Sequence, residues 1–288
     1  MKRSFGMVII LLLFAALGIG GCANTVRIAD LKVEADAESF DAYSRDLSKK
    51  DMEKISTLTG LKELNLDNTG ITDISEIEGL TELEDLNLMR NSISDIEPLG
   101  NLKKLRILSF QSDNADISVL SSLKELENVY IVGTVRDLTP LTELPKLSYL
   151  GLERVDMDLS PLADMKSLKS LYIYSTQDID ISAVSQLTSL ENLTVHTDMS
   201  DLSPFSGLKE LKKLDILEVT QDLTPLYGLE NLEELSIRGD NTDVSGLAAL
   251  SNLKKLTIQS YNPDIGSAYD LESSIPGLIL EMPGMEGY

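Results

Sequence analysis

Residues 83–102 read LEDLNLMRNSISDIEPLGNL, and this stretch contains the pattern that decides the fold. Leu86 and Leu88 alternate with polar residues, and a hydrophobic period of two is typical of a strand with one buried face. The same strand pattern returns along the chain as a pair of apolar residues separated by one residue. The pairs are Leu64/Leu66, Leu86/Leu88, Leu108/Phe110, Val129/Ile131, Leu150/Leu152, Leu171/Ile173, Leu193/Val195, Leu214/Ile216, Leu235/Ile237, Leu256/Ile258 and a terminal copy at Leu278/Leu280. Successive first members are 21 or 22 residues apart, which indicates a repeat protein.

A second period lies between the strands. Leu141, Leu144 and Leu147 recur at every third position before the next strand. This spacing matches the roughly 3.0-residue turn of a 3₁₀ helix better than the roughly 3.6 residues of an α-helix. Thr139 is predicted to cap this helical turn, with Pro140 at its first position.

A single unit of this kind cannot bury its apolar face alone, so neighbouring units must stack into one core. The pattern Leu-x-x-Leu-x-Leu, followed by Ile-x-Asp-Ile-x-Pro-Leu-x-x-Leu, resembles the leucine-rich repeats of the internalin-like, 22-residue class. The resemblance covers about residues 55–280. It implies an α/β repeat solenoid, a horseshoe with a parallel β-sheet on its concave face and short 3₁₀ or extended segments on its convex face.

The N-terminal residues have the features of a signal peptide. Lys2 and Arg3 precede an apolar run from Met7 to Leu17, and residues 19–22 read Ile-Gly-Gly-Cys. The last four resemble a bacterial lipobox, which implies lipidation at Cys22 and an extracytoplasmic, membrane-anchored protein of the cell envelope. The alternative is an ordinary secretory signal that happens to end in a cysteine.

These patterns divide the chain into five predicted segments. They are a lipoprotein signal peptide at 1–21, a tether at 22–40, an N-terminal cap at 41–57 in which Ser48 starts a helical turn, about eleven leucine-rich repeats at 58–280 and a C-terminal tail at 281–288.

Charge and composition exclude several functions. The 288 residues carry 25 Lys and Arg against 47 Asp and Glu, a net charge of −22. Such a chain is not attracted in general to nucleic acid, so no nucleic-acid partner is expected. One Cys and one His exclude an internal disulfide framework and metal sites built from several thiolates or imidazoles. No cofactor is predicted.

An aspartate recurs once per repeat, just before an aliphatic residue. The column is Asp73, Asp95, Asp116, Asp137, Asp158, Asp180, Asp201, Asp222, Asp243 and Asp264. A ladder of carboxylates that binds Ca²⁺ is one interpretation. The favoured one is that each carboxylate accepts backbone N–H groups in its own turn.

The strand positions between the apolar residues face away from the core, because side chains alternate across a strand. On this concave face the repeats place an aromatic patch together with Ile107. Its predicted partner-binding residues are Tyr130, Val132, Tyr149, Tyr172, Tyr174, His196 and Leu217. Tyrosine suits binding surfaces, since it offers a large contact area and a polar tip. The alternative is that β-propensity alone placed these residues in strands.

His196 is the only candidate catalytic base, and the sequence offers it no nucleophile in a recognisable arrangement. We therefore expect no catalytic residue and no enzyme. The leading interpretation is a non-enzymatic binding module for an extracellular or periplasmic protein or glycan. The alternative is a structural or spacer lipoprotein of the cell envelope.

Overall fold

The computed structural model of the chain describes residues 24–197, 199, 201–217, 222–238, 243–259 and 265–283, with only the backbone given for Leu217 and Ile265. The strands are β1 (Thr25–Ile28), β2 (Leu31–Glu34), β3 (Ser39–Asp41), β4 (Glu63–Asn65), β5 (Asp85–Leu88), β6 (Ile107–Ala115), β7 (Asn128–Val135), β8 (Tyr149–Glu153), β9 (Ser170–Tyr174), β10 (Asn192–His196), β11 (Lys213–Leu217), β12 (Glu234–Arg238), β13 (Lys255–Gln259) and β14 (Ile279–Glu281). The helices are α1 (Lys49–Ile55), α2 (Thr139–Thr142) and α3 (Ile265–Ser274). Short 3₁₀ turns lie at Ser75–Ile77, Glu97–Asn101, Ser118–Ser122, Ser160–Asp164, Ser182–Gln186, Ser203–Phe205, Thr224–Leu226 and Ser245–Ala249.

Strands β3 to β14 form one parallel sheet of 12 strands in chain order. The register aligns equivalent positions of the repeats, so that Leu86 lies opposite both Leu64 and Leu108. The predicted leucine-rich-repeat solenoid is therefore confirmed, with β3 as an additional strand ahead of the repeats.

The apolar residues of the repeats fill a single continuous core. Leu150 and Leu152 are fully buried beneath the sheet, and Leu141, Leu144 and Leu147 close the opposite wall. The N–H groups of Leu141 and Leu144 donate to the carbonyls three residues earlier, at 2.9 and 3.2 Å. These bonds match the three-residue period inferred from the sequence, although the turn of this repeat is the short α-helix α2, whereas the eight other short turns in the described residues are 3₁₀ as predicted.

The aspartate column organises the turns. In each of the nine described members, the carboxylate accepts the backbone N–H two residues later, as in the 2.8 Å bond from Thr139 N to Asp137. This confirms the turn-forming interpretation; Asp264 lies outside the described residues. Thr139 was expected to cap the turn, but it is the first residue of α2 and its N–H is the group that is capped. That expectation was wrong because Asp137 supplies the acceptor instead.

The segment predicted as a tether, residues 22–40, differs from that expectation where the structure describes it. Strands β1 and β2 pair as an antiparallel hairpin, and β3 joins the main sheet. Ile28 is fully buried, and Asp51 of α1 accepts the N–H of Ala29 at 2.9 Å. This end of the solenoid is closed by burying apolar side chains, so the cap begins well before residue 41.

Ser48 starts α1 as predicted. Its hydroxyl accepts the N–H of Asp51, and the Asp51 carboxylate accepts the N–H of Ser48, which completes a capping box. These bonds, led by the one from Ala29, lower the pKa of Asp51.

The last repeat also differs from the prediction. Leu280, and not Leu278, lies opposite Leu256 in the sheet. Helix α3 replaces the short turn in this repeat, and it needs more residues than a 3₁₀ turn. The final strand therefore comes two residues later than the sequence spacing indicated. No helix in the described part of the chain combines the length and apolarity that crossing a membrane requires.

Candidate functional site

The predicted patch positions lie side by side on the concave face, in β7 to β11. One row across the strands runs through Tyr130, Gly151, Tyr172, Thr194 and Asp215. The next row runs through Val132, Glu153, Tyr174, His196 and Leu217. Tyr149 lies on the same face, beside Asn128 and Ser170.

Tyr130 reaches across its neighbouring strand because that strand has a glycine at the crossing point. A Cβ added to Gly151 would lie 2.2 Å from Cδ2 of the Tyr130 ring. The ring thus occupies the space above Gly151 and approaches Tyr172, two strands away, with ring centroids 6.1 Å apart. A glycine inside a strand often marks such a close approach, so Gly151 is the sequence feature that indicates one here.

The rings form a continuous group. His196 makes edge contacts with Tyr172 and with Tyr174, with centroids 6.0 and 6.4 Å apart. We call Tyr130, Tyr172, Tyr174 and His196 the aromatic cluster. All four side chains are half-buried, and Tyr149 beside them is too.

Glu153 lies between Tyr130 and Tyr174 and borders one side of the Tyr172, Tyr174 and His196 rings. Its Oε2 accepts a 2.6 Å hydrogen bond from the Tyr130 hydroxyl. Burial raises the pKa of Tyr130, and the bond to the Glu153 carboxylate raises it further. The hydroxyl is therefore neutral at physiological pH and acts as a donor.

Asp215 closes the other side. Its Oδ1 lies 3.3 Å from Nε2 of His196, but the two buried atoms are not aligned, and neither has a hydrogen-bond partner among the described residues. Burial, together with the carboxylates of Glu153 and Asp215, raises the pKa of Tyr172 to about 12. The Tyr172 hydroxyl thus experiences both negative charges.

Two members of the predicted patch, and the predicted lipidation site, need comment. Val132 was expected on the exposed surface, but it is only 4% exposed and does not offer contact area. Its short side chain lies between the longer Gln111 and Glu153 of the adjacent strands. Leu217 occupies the expected strand position, while its side chain and the whole of Cys22 lie outside the described residues.

A shallow depression continues the site beyond the carboxyl ends of β8 and β9. Residues 153–156 and 174–177 line it, so Glu153 and Tyr174 belong both to the depression and to the rows described above. A ligand on the aromatic cluster therefore has room to extend over the turns.

The geometry around His196 does not form a catalytic arrangement. Its Nε2 accepts no hydrogen bond from a nucleophile among the described residues, and its neighbours are two tyrosines and a carboxylate. Within the same residues, no three His, Cys, Asp or Glu side chains converge to hold a metal ion.

Comparison with known proteins identifies the fold. Residues 59–101 match the family model for leucine-rich repeats in two copies. No curated protein matches the chain. An internalin from Listeria monocytogenes has a crystal structure with 25% sequence identity and a TM-score of 0.57, over 88% of this chain and 89% of that one.

Two more distant structures share the fold alone. A leucine-rich-repeat protein of Leptospira interrogans aligns with a TM-score of 0.58 at 18% identity, over 80% of this chain and 74% of that one. A plant peptide hormone receptor aligns with a TM-score of 0.53 at 18% identity, over 80% of this chain and 41% of that one. The repeat spacing, the single parallel sheet and the family model agree, and the chain is a leucine-rich-repeat protein whose structure is similar to that of a Listeria internalin.

Proposed function

We propose that this chain is a non-enzymatic binding module of the bacterial cell envelope, and that the concave aromatic cluster is its contact surface for an extracellular or periplasmic protein. The observation that carries the proposal is the connected group of half-buried rings on the concave face of the sheet. Leucine-rich-repeat folds serve in general as protein-binding scaffolds. Half-buried tyrosines gain further apolar contact when a partner covers them.

Replacing Tyr130 and Tyr172 together by alanine tests this proposal. Truncating such an interface residue commonly costs about 2 kcal/mol of binding, so the double variant should bind its partner at least tenfold more weakly. Because the two rings contact each other and Tyr130 bonds Glu153, we also expect the free energy of unfolding to fall, by about 1 kcal/mol. Affinity capture with the full chain, followed by titration of the recovered partner, measures the loss.

The matched control is Tyr43→Ala with Tyr269→Ala. These tyrosines are 50% and 54% exposed and lie outside the aromatic cluster. A partner that is retained equally by both double variants would show that the aromatic cluster is not the contact surface. A ligand that survives protease treatment would be a glycan. Recovery of the chain itself alone would favour the alternative, a structural or spacer lipoprotein.

The proposed location depends on Cys22, the only cysteine in the chain. Two acyl chains on this residue would provide stable membrane attachment, since each buried CH₂ contributes about 0.8 kcal/mol. Cys22→Ala should therefore shift the protein from the membrane fraction to the soluble fraction or leave its signal peptide uncleaved. A processed variant that stays with the membrane like the wild type would show that Cys22 is not the anchor.

A further inference from the structure

The strands that carry the aromatic cluster contain no basic side chain other than His196; the nearest arginine, Arg154, directly follows β8 and lines the depression next to Glu153. No residue of β7, β8, β9 or β10 is a lysine or arginine, and all four strands are fully described. Glu153 of β8 and Asp215 of β11 lie on opposite sides of the Tyr172 and His196 rings. The nearest basic strand residue along the sheet, Lys213, is already paired with Glu234 at 2.8 Å. The face therefore presents two carboxylates that no lysine or arginine side chain of these strands neutralises.

The two carboxylates are far enough apart to be separate contact points. Glu153 lies in β8 and Asp215 in β11, three strands along the sheet. With a spacing of about 4.8 Å between strands, the distance across the strands is about 14 Å. Asp215 starts one row away from Glu153, but its carboxylate lies against His196, which belongs to the row of Glu153, so the two carboxylates are taken to be about 14 Å apart. The rings of Tyr172 and His196 occupy the strands between them.

Each carboxylate remains available to a ligand. Glu153 uses Oε2 for the Tyr130 hydroxyl, and a carboxylate has further acceptor positions. Asp215 keeps 41% of its side chain exposed, although its Oδ1 is buried against His196 without a hydrogen bond. A buried acceptor that lacks a partner favours the arrival of positive charge beside it.

We propose that the partner protein presents two cationic side chains, lysine or arginine, about 14 Å apart, one at Glu153 and one at Asp215, with an apolar group between them on the Tyr172 ring. This inference rests on the proposed function and specifies the chemistry of the partner. An extended segment rises about 3.3 Å per residue, so its two basic residues would be about four positions apart. The tyrosine rings add cation–π attraction to the two charge pairs.

The single histidine provides a direct measurement. His196 is the only imidazole of the chain and lies between the Tyr172 ring and Asp215, so an untagged protein with labelled histidine gives one side-chain resonance from the site. The full chain is titrated at constant pH with the peptide acetyl-Lys-Ala-Leu-Ala-Lys-amide. We expect a saturable shift of the His196 resonance. Peptides in which both lysines are replaced by glutamate, or both by glutamine, should leave the resonance in place.

Variants that remove the two negative charges make the test specific. Glu153→Gln with Asp215→Asn should weaken the peptide at least tenfold. Glu53→Gln with Glu97→Gln changes the net charge equally, at exposed positions away from the aromatic cluster, and should leave the titration unchanged.

Three results would overturn the inference. They are an unmoved His196 resonance, equal titration of the two double variants, and equal response to single acetyl-lysine-amide at twice the concentration. The last would mean that one cation suffices. If partner binding is lost in the Tyr130/Tyr172 variant while the peptide test fails, the proposed contact surface stands and only the two-cation partner is wrong.

Discussion

At the scale of single residues, the sequence predicted the role of polar side chains where that role is local. The aspartate column was predictable because each carboxylate bonds a backbone group only two residues away. The exposure of Val132 was not, because it depends on the neighbours Gln111 and Glu153, which are about 21 residues distant in the chain. The turn bonds also lower the pKa of seven of these aspartates, including Asp137 and Asp222. Their contribution to stability is therefore lost as pH falls through the acid range.

Asp85 is expected to behave in the opposite way. It is partly buried beside Glu63, and burial raises its pKa from 3.8 to about 6. Between these values the folded protein holds a proton that the unfolded chain has released, so the contribution of Asp85 to stability falls as pH rises. Asp85→Asn should raise the free energy of unfolding at pH 7 by about 1 kcal/mol, after allowance for solvent screening.

Chemical denaturation of Asp85→Asn at pH 4, 6 and 7 measures this effect. The gain should shrink towards pH 4, where the carboxyl group is already protonated in the folded state. The exposed Asp164→Asn serves as the control and should show no comparable gain. A loss of stability in Asp85→Asn at pH 7 would mean that the carboxylate has a favourable partner.

At the scale of elements, the strands and 3₁₀ turns were predictable because their hydrophobic periods are regular. The ends of the array were not, since they are irregular by necessity: a solenoid must cover its terminal apolar faces. The β1–β2 hairpin does so at one end and α3 at the other, where it moves the last strand from Leu278 to Leu280. The aromatic cluster was predictable as a set of positions. Gly151 indicated a close approach to its strand, but not that the Tyr130 ring makes it, because a rotamer is not visible in a repeat pattern.

Gly151→Ala is expected to displace Tyr130. The new methyl group would overlap the ring, which must then leave Glu153 and Tyr172. Overpacking of this kind commonly costs about 1–3 kcal/mol of stability. Thermal or chemical unfolding measures this cost in the wild type and in a Tyr130→Ala background. In that background the cost should fall to a few tenths of a kcal/mol.

Gly207→Ala is the matched control, because an added Cβ there meets no atom within 4 Å. It should unfold much as the wild type does. An equal cost of Gly151→Ala in both backgrounds would contradict the packing described for Tyr130.

At the scale of the whole molecule, surface charges are arranged along the repeats. Glu191 lies between Lys169 and Lys212, at 3.3 and 2.7 Å, and each of these residues belongs to a different repeat. Exposed pairs of this kind add little stability, typically below about 1 kcal/mol each. Around the aromatic cluster, by contrast, β7 to β10 carry no lysine or arginine; the nearest ones are Arg154, which follows β8, and Lys213 of β11, which pairs with Glu234. The sequence showed the net charge of −22. Which acidic residues have a basic neighbour on the adjacent strand can be read only from the register of the sheet.

Hydroxyl-radical footprinting of the full chain with its captured partner tests the central claim most directly, because tyrosine oxidation reports on side-chain exposure. The account predicts that the partner protects Tyr130, Tyr172 and Tyr174 from oxidation. Tyr43 and Tyr269, which are exposed and outside the aromatic cluster, should be oxidised equally with and without partner. Protection at Tyr43 or Tyr269, with unchanged oxidation of the three cluster tyrosines, would contradict the assignment of the aromatic cluster as the binding surface.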